Sequence, residues 1–196
     1  MFEQYAADDL RDLIAQFPLA WVTSKDGEEA SLLPLVGRFG AAGELTELIG
    51  HLAFANPLRA ALIRDPRALI LFKGPDAYIS PSHAGRRDWG PTWNYAQARV
   101  WAEITFDPDL TGPSLELLAD RVEHFREHPW HPAELGARYQ QLARHIIGFR
   151  ARVTRVKAKF KLGQDERLET LHHILDSHSD PALLEWMRRF NPGRLP

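Results

Sequence analysis

Short runs of apolar, β-branched and aromatic residues, separated by turn residues, recur through most of this chain, and that punctuation is its tightest constraint on fold. Leu19–Thr23 reads as a strand, and Lys25-Asp26-Gly27 as the turn after it, because an Asp-Gly pair suits a tight hairpin. Ser31–Val36 and Leu45–Ala53 are the next strands, joined by a loop over Gly37–Gly43. Pro34 inside the first of these predicts an edge, a bulge or an amide that faces no neighbouring strand. Ala68–Lys73 and Ala77–Ser80 read as two short strands, Thr92–Phe106 as a long one, and Phe149–Phe160 as a late one.

Helical signals lie around and between these runs. Asp8 and Asp9 cap a first helix whose apolar face is Leu10, Leu13, Ile14 and Phe17, with Pro18 as its stop. Asn56-Pro57 opens a second over Leu58–Arg64. Pro113–Glu127, Ala133–Ile147, Asp165–His178 and Pro181–Arg189 read as further helices. Strands joined by short turns, followed by helices and one late strand, predict a mainly β (α+β) fold: an antiparallel barrel or sheet with peripheral helices, not a doubly wound sheet. Neither common glycine-rich phosphate loop is present, which disfavours a dinucleotide-binding fold. The expected organisation is one barrel domain over residues 1–163 with inserted helices, and a C-terminal helical extension over 164–196 packed on it.

With 196 residues the chain can bury a core without staples. A formal net charge of −2 gives no global attraction to nucleic acid or anionic lipid. There is no cysteine, so disulfide and thiolate chemistry are excluded and a cytoplasmic location is expected. The first residues lack a signal-peptide pattern, and no apolar run approaches the roughly 20 residues of a membrane span, so no membrane partner is expected.

The candidate chemistry gathers in a few places. Phe72 to Ser82, followed by Pro91-Thr92-Trp93-Asn94-Tyr95, pairs apolar runs with a loop of small and polar residues, a pattern that can form a planar slot for a flat, phosphorylated ligand. His51 and Asn56 flank a strand-to-helix junction whose first amides could attract an anion; the plainer reading is a capped helix and a strand histidine. Trp93 and Tyr95 bracket the Asn94 amide, which suits either a ring-binding wall or core packing. Arg155, Lys157, Lys159 and Lys161 form a basic row, beyond a shift of basic positions from even to odd that suggests a bulge or a change of face near Val153-Thr154; the row could hold phosphate, a partner or nucleic acid, or simply face solvent. His124, His128 and His131 have metal-like spacing, but Pro129 breaks the helix that would align them. Asp76 and Glu103 are possible acids or bases without a visible partner, and no nucleophile, base and orienter set can be read.

Taken together, Gly50-His51-Leu52-Ala53, Ala55-Asn56-Pro57, Phe72, Gly74-Pro75, Asp76 to Ser82, Pro91 to Tyr95, Ile147-Gly148-Phe149, Lys159 to Leu162 and Gln164 resemble the PaiB-like family of FMN-binding negative transcriptional regulators. The resemblance implies a six-stranded antiparallel flavin split barrel that forms a homodimer, with FMN in a cleft between subunits. Leu33 and Pro34 would back the isoalloxazine, and His51 and Asn56 would lie near the ribityl phosphate. Ser80, from the Ala77–Ser82 run, would join the cofactor-binding set; Trp93, Asn94 and Tyr95 would line the cleft, and Lys161 and Gln164 would reach in. The chain departs from the family at His83-Ala84, where an aromatic pair is usual, in the shortened loop around Arg86, Arg87 and Asp88, and at Gly163, where serine is common.

The resemblance implies a flavin-binding regulator that senses flavin or a small metabolite and acts on DNA directly or through a regulatory protein partner. No helix-turn-helix with a basic recognition helix is visible, which leaves the Arg155–Lys161 row as the candidate DNA surface. The alternative is a flavin-dependent oxidoreductase of the split-barrel type acting on a small molecule. A haem-binding relative of the barrel is a third reading, for which no axial histidine can be named.

Overall fold

The computed structural model describes residues 1–194. Six strands, β1 (Leu19–Ser24), β2 (Ala30–Phe39), β3 (Leu45–Ala53), β4 (Arg67–Ile79), β5 (Thr92–Phe106) and β6 (Ile146–Lys161), close into a barrel in the order β1-β2-β3-β6-β5-β4. The four pairings with a defined register, β1 with β2 and β4, and β3 with β2 and β6, are antiparallel. The six helices are α1 (Ala7–Gln16), α2 (Pro57–Arg64), α3 (Thr111–Glu123), α4 (Ala137–Ala143), α5 (Leu168–Ser177) and α6 (Pro181–Arg189).

Closure leaves no edge for Pro34. It sits where β2 changes neighbours: the ladder to β1 ends at Leu19↔Pro34 and the ladder to β3 begins at Leu35↔Gly50. A residue without an N–H is tolerated at that handover, and the next amide, from Leu35, donates to the Pro18 carbonyl at 2.8 Å.

Several segments differ from the sequence expectation: Asp8 and Asp9 lie in the first turn of α1 rather than ahead of it, and α3 ends at Glu123, short of Glu127. Ala68–Lys73 and Ala77–Ser80 belong to one continuous strand, β4, of 13 residues. Gly74-Pro75, which reads locally as a break, instead shifts the phase: Ala68, Ile70 and Phe72 point inward before it and Ile79 after it. Ala133–Ile147 is not a single helix. Pro132–Leu135 is a 3-10 turn, Gly136 then takes φ +52°, and α4 runs only over Ala137–Ala143. Ile146 and Ile147, apolar enough to extend a helix, pair with Ala53 and Leu52 of β3 instead. β6 shows the expected change of face: Ile147, Phe149 and Ala151 are buried on odd positions, Ala158 and Phe160 on even ones.

The chain divides into two compact units that do not follow chain order. The barrel unit comprises Ala7–Phe72 and Arg99–Lys157. Its core is Leu35, Leu48, Ile49, Ile70, Val100 and Phe149, with Leu13 and Ile14 of α1. Two glycines permit its closest approaches. A Cβ on Gly50 would lie 2.5 Å from Leu35, and one on Gly148 would lie 2.5 Å from the Leu110 backbone. The terminal unit comprises Met1–Ala6, Lys73–Ala98 and residues 158–194, and so contains α5 and α6. Its core stacks Phe160 on Trp186 and Phe190, with ring centroids 5.8 and 4.6 Å away.

Candidate functional site

In the barrel unit, Asn56 is the N-cap of α2. Its Oδ1 accepts the Leu58 N–H at 3.0 Å, and its Nδ2 donates to Ser31 Oγ of β2 at 2.9 Å. Pro57 opens the helix, where its missing N–H costs nothing. The helix therefore begins beside a hydroxyl and an amide with its dipole's positive end outward. Arg59 adds a cation in the same first turn. Its guanidinium lies 3.9 Å from the centre of the Phe54 ring and 5.8 Å from that of Phe106. Its Nε is buried and has no hydrogen-bond partner among the described residues. An orphaned buried donor on a cation beside a helix N-terminus is the chemistry that receives a phosphate.

The residues expected behind the ring part company. Leu33 is 8% exposed and points into the barrel, whereas Pro34 is half-buried on the outside. The outer face beside Pro34 is apolar. Trp21 pairs across the sheet with Leu32 on one side and Leu71 on the other, and Leu19 lies opposite Pro34. Trp21 is 50% exposed and Leu32 44%, so a large apolar row is left uncovered by the described residues.

His51 is directed elsewhere. It lies under α3, with Nδ1 3.5 Å from Ser114 Oγ, and lines a cavity with Trp130 and Tyr139. Burial holds its pKa below the ordinary histidine value. Asn56 and His51, five residues apart, therefore serve different surroundings.

In the terminal unit, Ser80 begins a turn: its Oγ contacts Ser82 Oγ at 2.8 Å, and its N–H donates to His83 Nδ1 at 3.3 Å. Trp93 is 52% exposed, with its ring 6.0 Å from that of Tyr78. Tyr95 faces Lys159, whose Nζ is 5.7 Å from the ring centre. Lys161 donates to Thr92 Oγ1 and to the Trp93 carbonyl, the latter at 3.2 Å. Asn94, only 2% exposed, points inward on β5, and its Nδ2 donates to Met187 Sδ of α6 at 3.6 Å. Gln164 closes the turn after β6: its Nε2 donates to the Phe160 carbonyl and its Oε1 accepts the Leu162 N–H, both at 2.7 Å. Trp93, Tyr95 and Lys161 thus share a surface, while Asn94 and Gln164 bind the chain to itself.

The other candidates are engaged. Asp76 pairs with Lys73 at 2.7 Å, and Glu103 pairs with Arg152. In the basic row, Arg155 covers Trp101 at 3.6 Å, and Lys159 and Lys161 have the partners given above. His124 Nδ1 lies 2.7 Å from the Arg121 carbonyl, and His131 caps the 3-10 turn at Pro132–Leu135. Among the described residues no His, Asp and Glu group has metal-binding geometry, and no helix is long and apolar enough to cross a membrane. Ser31, Arg59 and Ser114 were not singled out by sequence. Arg59 carried a signal all the same, as a cation one turn into a helix already marked by Asn56-Pro57.

Residues 1–155 match the model of the family described as "Putative FMN-binding domain". Protease synthase and sporulation protein PAI 2 of Bacillus subtilis (strain 168) is 29% identical over 159 residues, covering 79% of this chain and 75% of that protein. The FAD and heme binding protein from Mycobacterium smegmatis superposes with a TM-score of 0.62 at 20% identity, over 86% of this chain and 78% of that one. The flavocytochrome Anf3 from Azotobacter vinelandii gives 0.57 at 15% identity, over 85% and 73%. The likeness to these two structures is one of fold, the six-stranded barrel.

Proposed function

The chain belongs to the FMN-binding domain family and is a flavin-binding relative of PAI 2, and from that premise we propose that it is an FMN-binding negative regulator of the PaiB type, active as a homodimer. The observation that carries the reading is the corner at the start of α2. The orphaned Arg59 Nε, beside the Ser31 hydroxyl and the positive end of the α2 dipole, is a donor suited to the phosphate of FMN. The apolar outer row of Trp21, Leu32 and Leu71 supports dimerisation, since a face of that kind is normally covered. Pro34 borders that row and is the expected backing residue that remains on the surface. Trp93, Tyr95 and Lys161 supply a second surface suited to a ring and an anion.

Bound FMN supplies a ring that accepts and returns electrons. The chain's own residues bind and orient: Arg59 neutralises the phosphate beside the positive end of α2, and Asn56 caps that helix and fixes where it begins. No specific observation favours the oxidoreductase reading: Asp76 and Glu103, the acids or bases considered from sequence, are in ion pairs and mark no proton-transfer site. Three cations of the basic row are already engaged within the chain, which favours control through a bound metabolite or a partner protein over reading of duplex DNA by that row.

FMN fluorescence titration tests the reading. Arg59→Ala is expected to weaken FMN by about tenfold or more, the effect of losing one charge-assisted phosphate contact. In the parent cell, transcripts raised by deleting the gene are expected to stay raised when only Arg59→Ala is supplied. An unchanged dissociation constant would remove the phosphate assignment, and full repression by a variant that binds no FMN would remove the sensing role.

A further inference from the structure

A second site lies on the outer side of β3, beneath α3. His51 opens there onto a cavity of about 240 Å³ walled by Leu118, Val122, Trp130, Leu135 and Tyr139. The one charged side chain of the lining, Glu123, is ion-paired with Arg126 at 2.9 Å and accepts the Trp130 backbone N–H at 3.4 Å. No cation lines the cavity, so an anion such as a flavin phosphate has no counter-charge in it.

The protonation of His51 follows from its neighbour. Ser114 Oγ donates to the Thr111 carbonyl at 2.9 Å, so its hydrogen is committed and it can meet His51 Nδ1, at 3.5 Å, only as an acceptor. The ring proton then belongs on Nδ1, and Nε2 keeps a lone pair that has no donor among the described residues. Burial lowers the pKa of the ring and so favours this neutral form. A neutral acceptor in a mostly apolar, aromatic-walled space, whose one carboxylate is already paired, is an arrangement that selects a ligand by a hydrogen bond to that acceptor.

We propose that this cavity binds a small uncharged ligand with an aromatic or branched apolar body and one hydroxyl or N–H group, which donates to Nε2 of His51. The volume falls just under the roughly 300 Å³ at which drug-sized pockets begin, so the ligand has about a dozen heavy atoms or fewer. The site is separate from the flavin corner at α2 and gives a flavin-binding regulator a place to read a second small molecule.

NMR titration of the FMN-loaded protein with p-cresol, and in parallel with toluene, tests this through the Trp130 indole and the His51 ring nitrogens. Saturable shifts at both residues are expected, with p-cresol about tenfold tighter than toluene, the effect of one added hydrogen bond. Leu118→Trp fills the cavity and should abolish both titrations. His51→Phe leaves the cavity and should keep toluene binding while erasing the preference for p-cresol. Equal affinity for the two probes, shifts that bypass Trp130, or binding that survives Leu118→Trp would overturn the proposal. So would loss of FMN from a His51→Phe protein that melts like the parent, since His51 would then belong to the flavin. FMN loading is read separately by absorbance, and the titration can be run without FMN, so failure of the flavin reading is distinguishable from failure of this one.

Discussion

In the barrel unit the inward side chains of β5 are Val100, Ala102 and Ile104, small aliphatic groups in strict alternation, and the functional groups with unmet bonds lie outside them. In the terminal unit the core is aromatic and polar together. Phe160, Trp186 and Phe190 stack, and Asn191 Nδ2 donates to the carbonyls of Leu162 and Met187 at 3.0 and 2.8 Å. Arg194 adds bonds to the carbonyls of Gly163, Gln164 and Glu166. The contrast shows where a ligand can be recognised. Polar groups of the terminal unit mostly serve its own backbone, with Nε2 of His172 buried and unpartnered among the described residues. Among the described residues, the barrel unit leaves the buried Arg59 Nε without a partner and gives His51 a bond at Nδ1 alone.

The strongest way to break the comparison is to remove the aromatic core. Trp186 is 1% exposed, and Trp186→Ala should cost about 3–5 kcal/mol by the loss of buried area and the cavity left behind. Chemical denaturation gives the size, and hydrogen exchange gives the place: protection should fall first in α5 and α6 and last in β1–β3. Equal loss in both units would mean that they do not differ in the way described.

Gly148→Ala probes the barrel unit by the opposite error, overpacking. The added Cβ would meet the Leu110 backbone at 2.5 and 2.7 Å, and backbone cannot rotate away as a side chain can. A loss of about 1–3 kcal/mol is expected, with changed amide shifts around Leu110 and Thr111. A variant as stable as the parent would show that the approach of this segment to β6 is loose.

Gln164→Ala separates the structural from the ligand-facing set. Two hydrogen bonds at 2.7 Å close the turn after β6, so the variant should lose about 1–3 kcal/mol while its FMN dissociation constant stays within about twofold. Arg59→Ala should do the reverse. A Gln164→Ala protein with intact stability and lost flavin affinity would return Gln164 to the cofactor.

These particulars mark what the sequence could tell. The Asn56-Pro57 signal held up and caps its helix as composition requires, because a cap needs only residues two or three apart. The strands and their turns were legible through apolar runs and turn residues, which allowed a barrel or a sheet; the six-stranded barrel was what the family resemblance implied. Gly74-Pro75 misled because it is a local break signal overridden by the pairing of a long strand, and Ile146-Ile147 because an apolar pair suits helix and strand alike. Asn94 carried a signal that its aromatic neighbours obscured. It is in phase with Ala96 and Ala98, so alternation alone places it inside. The partner of His51 was out of reach, since Ser114 lies 63 residues away and only the fold brings it close.

The smallest expected effect is a pH dependence with one source in each unit. His51 in the barrel unit and His178 in the terminal unit both have pKa values held below the ordinary histidine value of 6.5; burial is the cause for His51, and burial followed by the charge of His83 for His178. The neutral forms also have structural work, since His178 Nδ1 accepts the Asp180 N–H at 3.2 Å at the start of α6. A depressed folded value means that the unfolded chain binds protons first on acidification. The stability that each contributes is therefore complete above pH 6.5 and is lost as pH falls below it. Melting between pH 7.5 and about 5 should show the decline, flattened in part by His51→Phe and in part by His178→Phe. Exchange protection should recover near β3 in the first variant and near α6 in the second. A single substitution that flattened the whole profile would show that the two units do not sense protons separately.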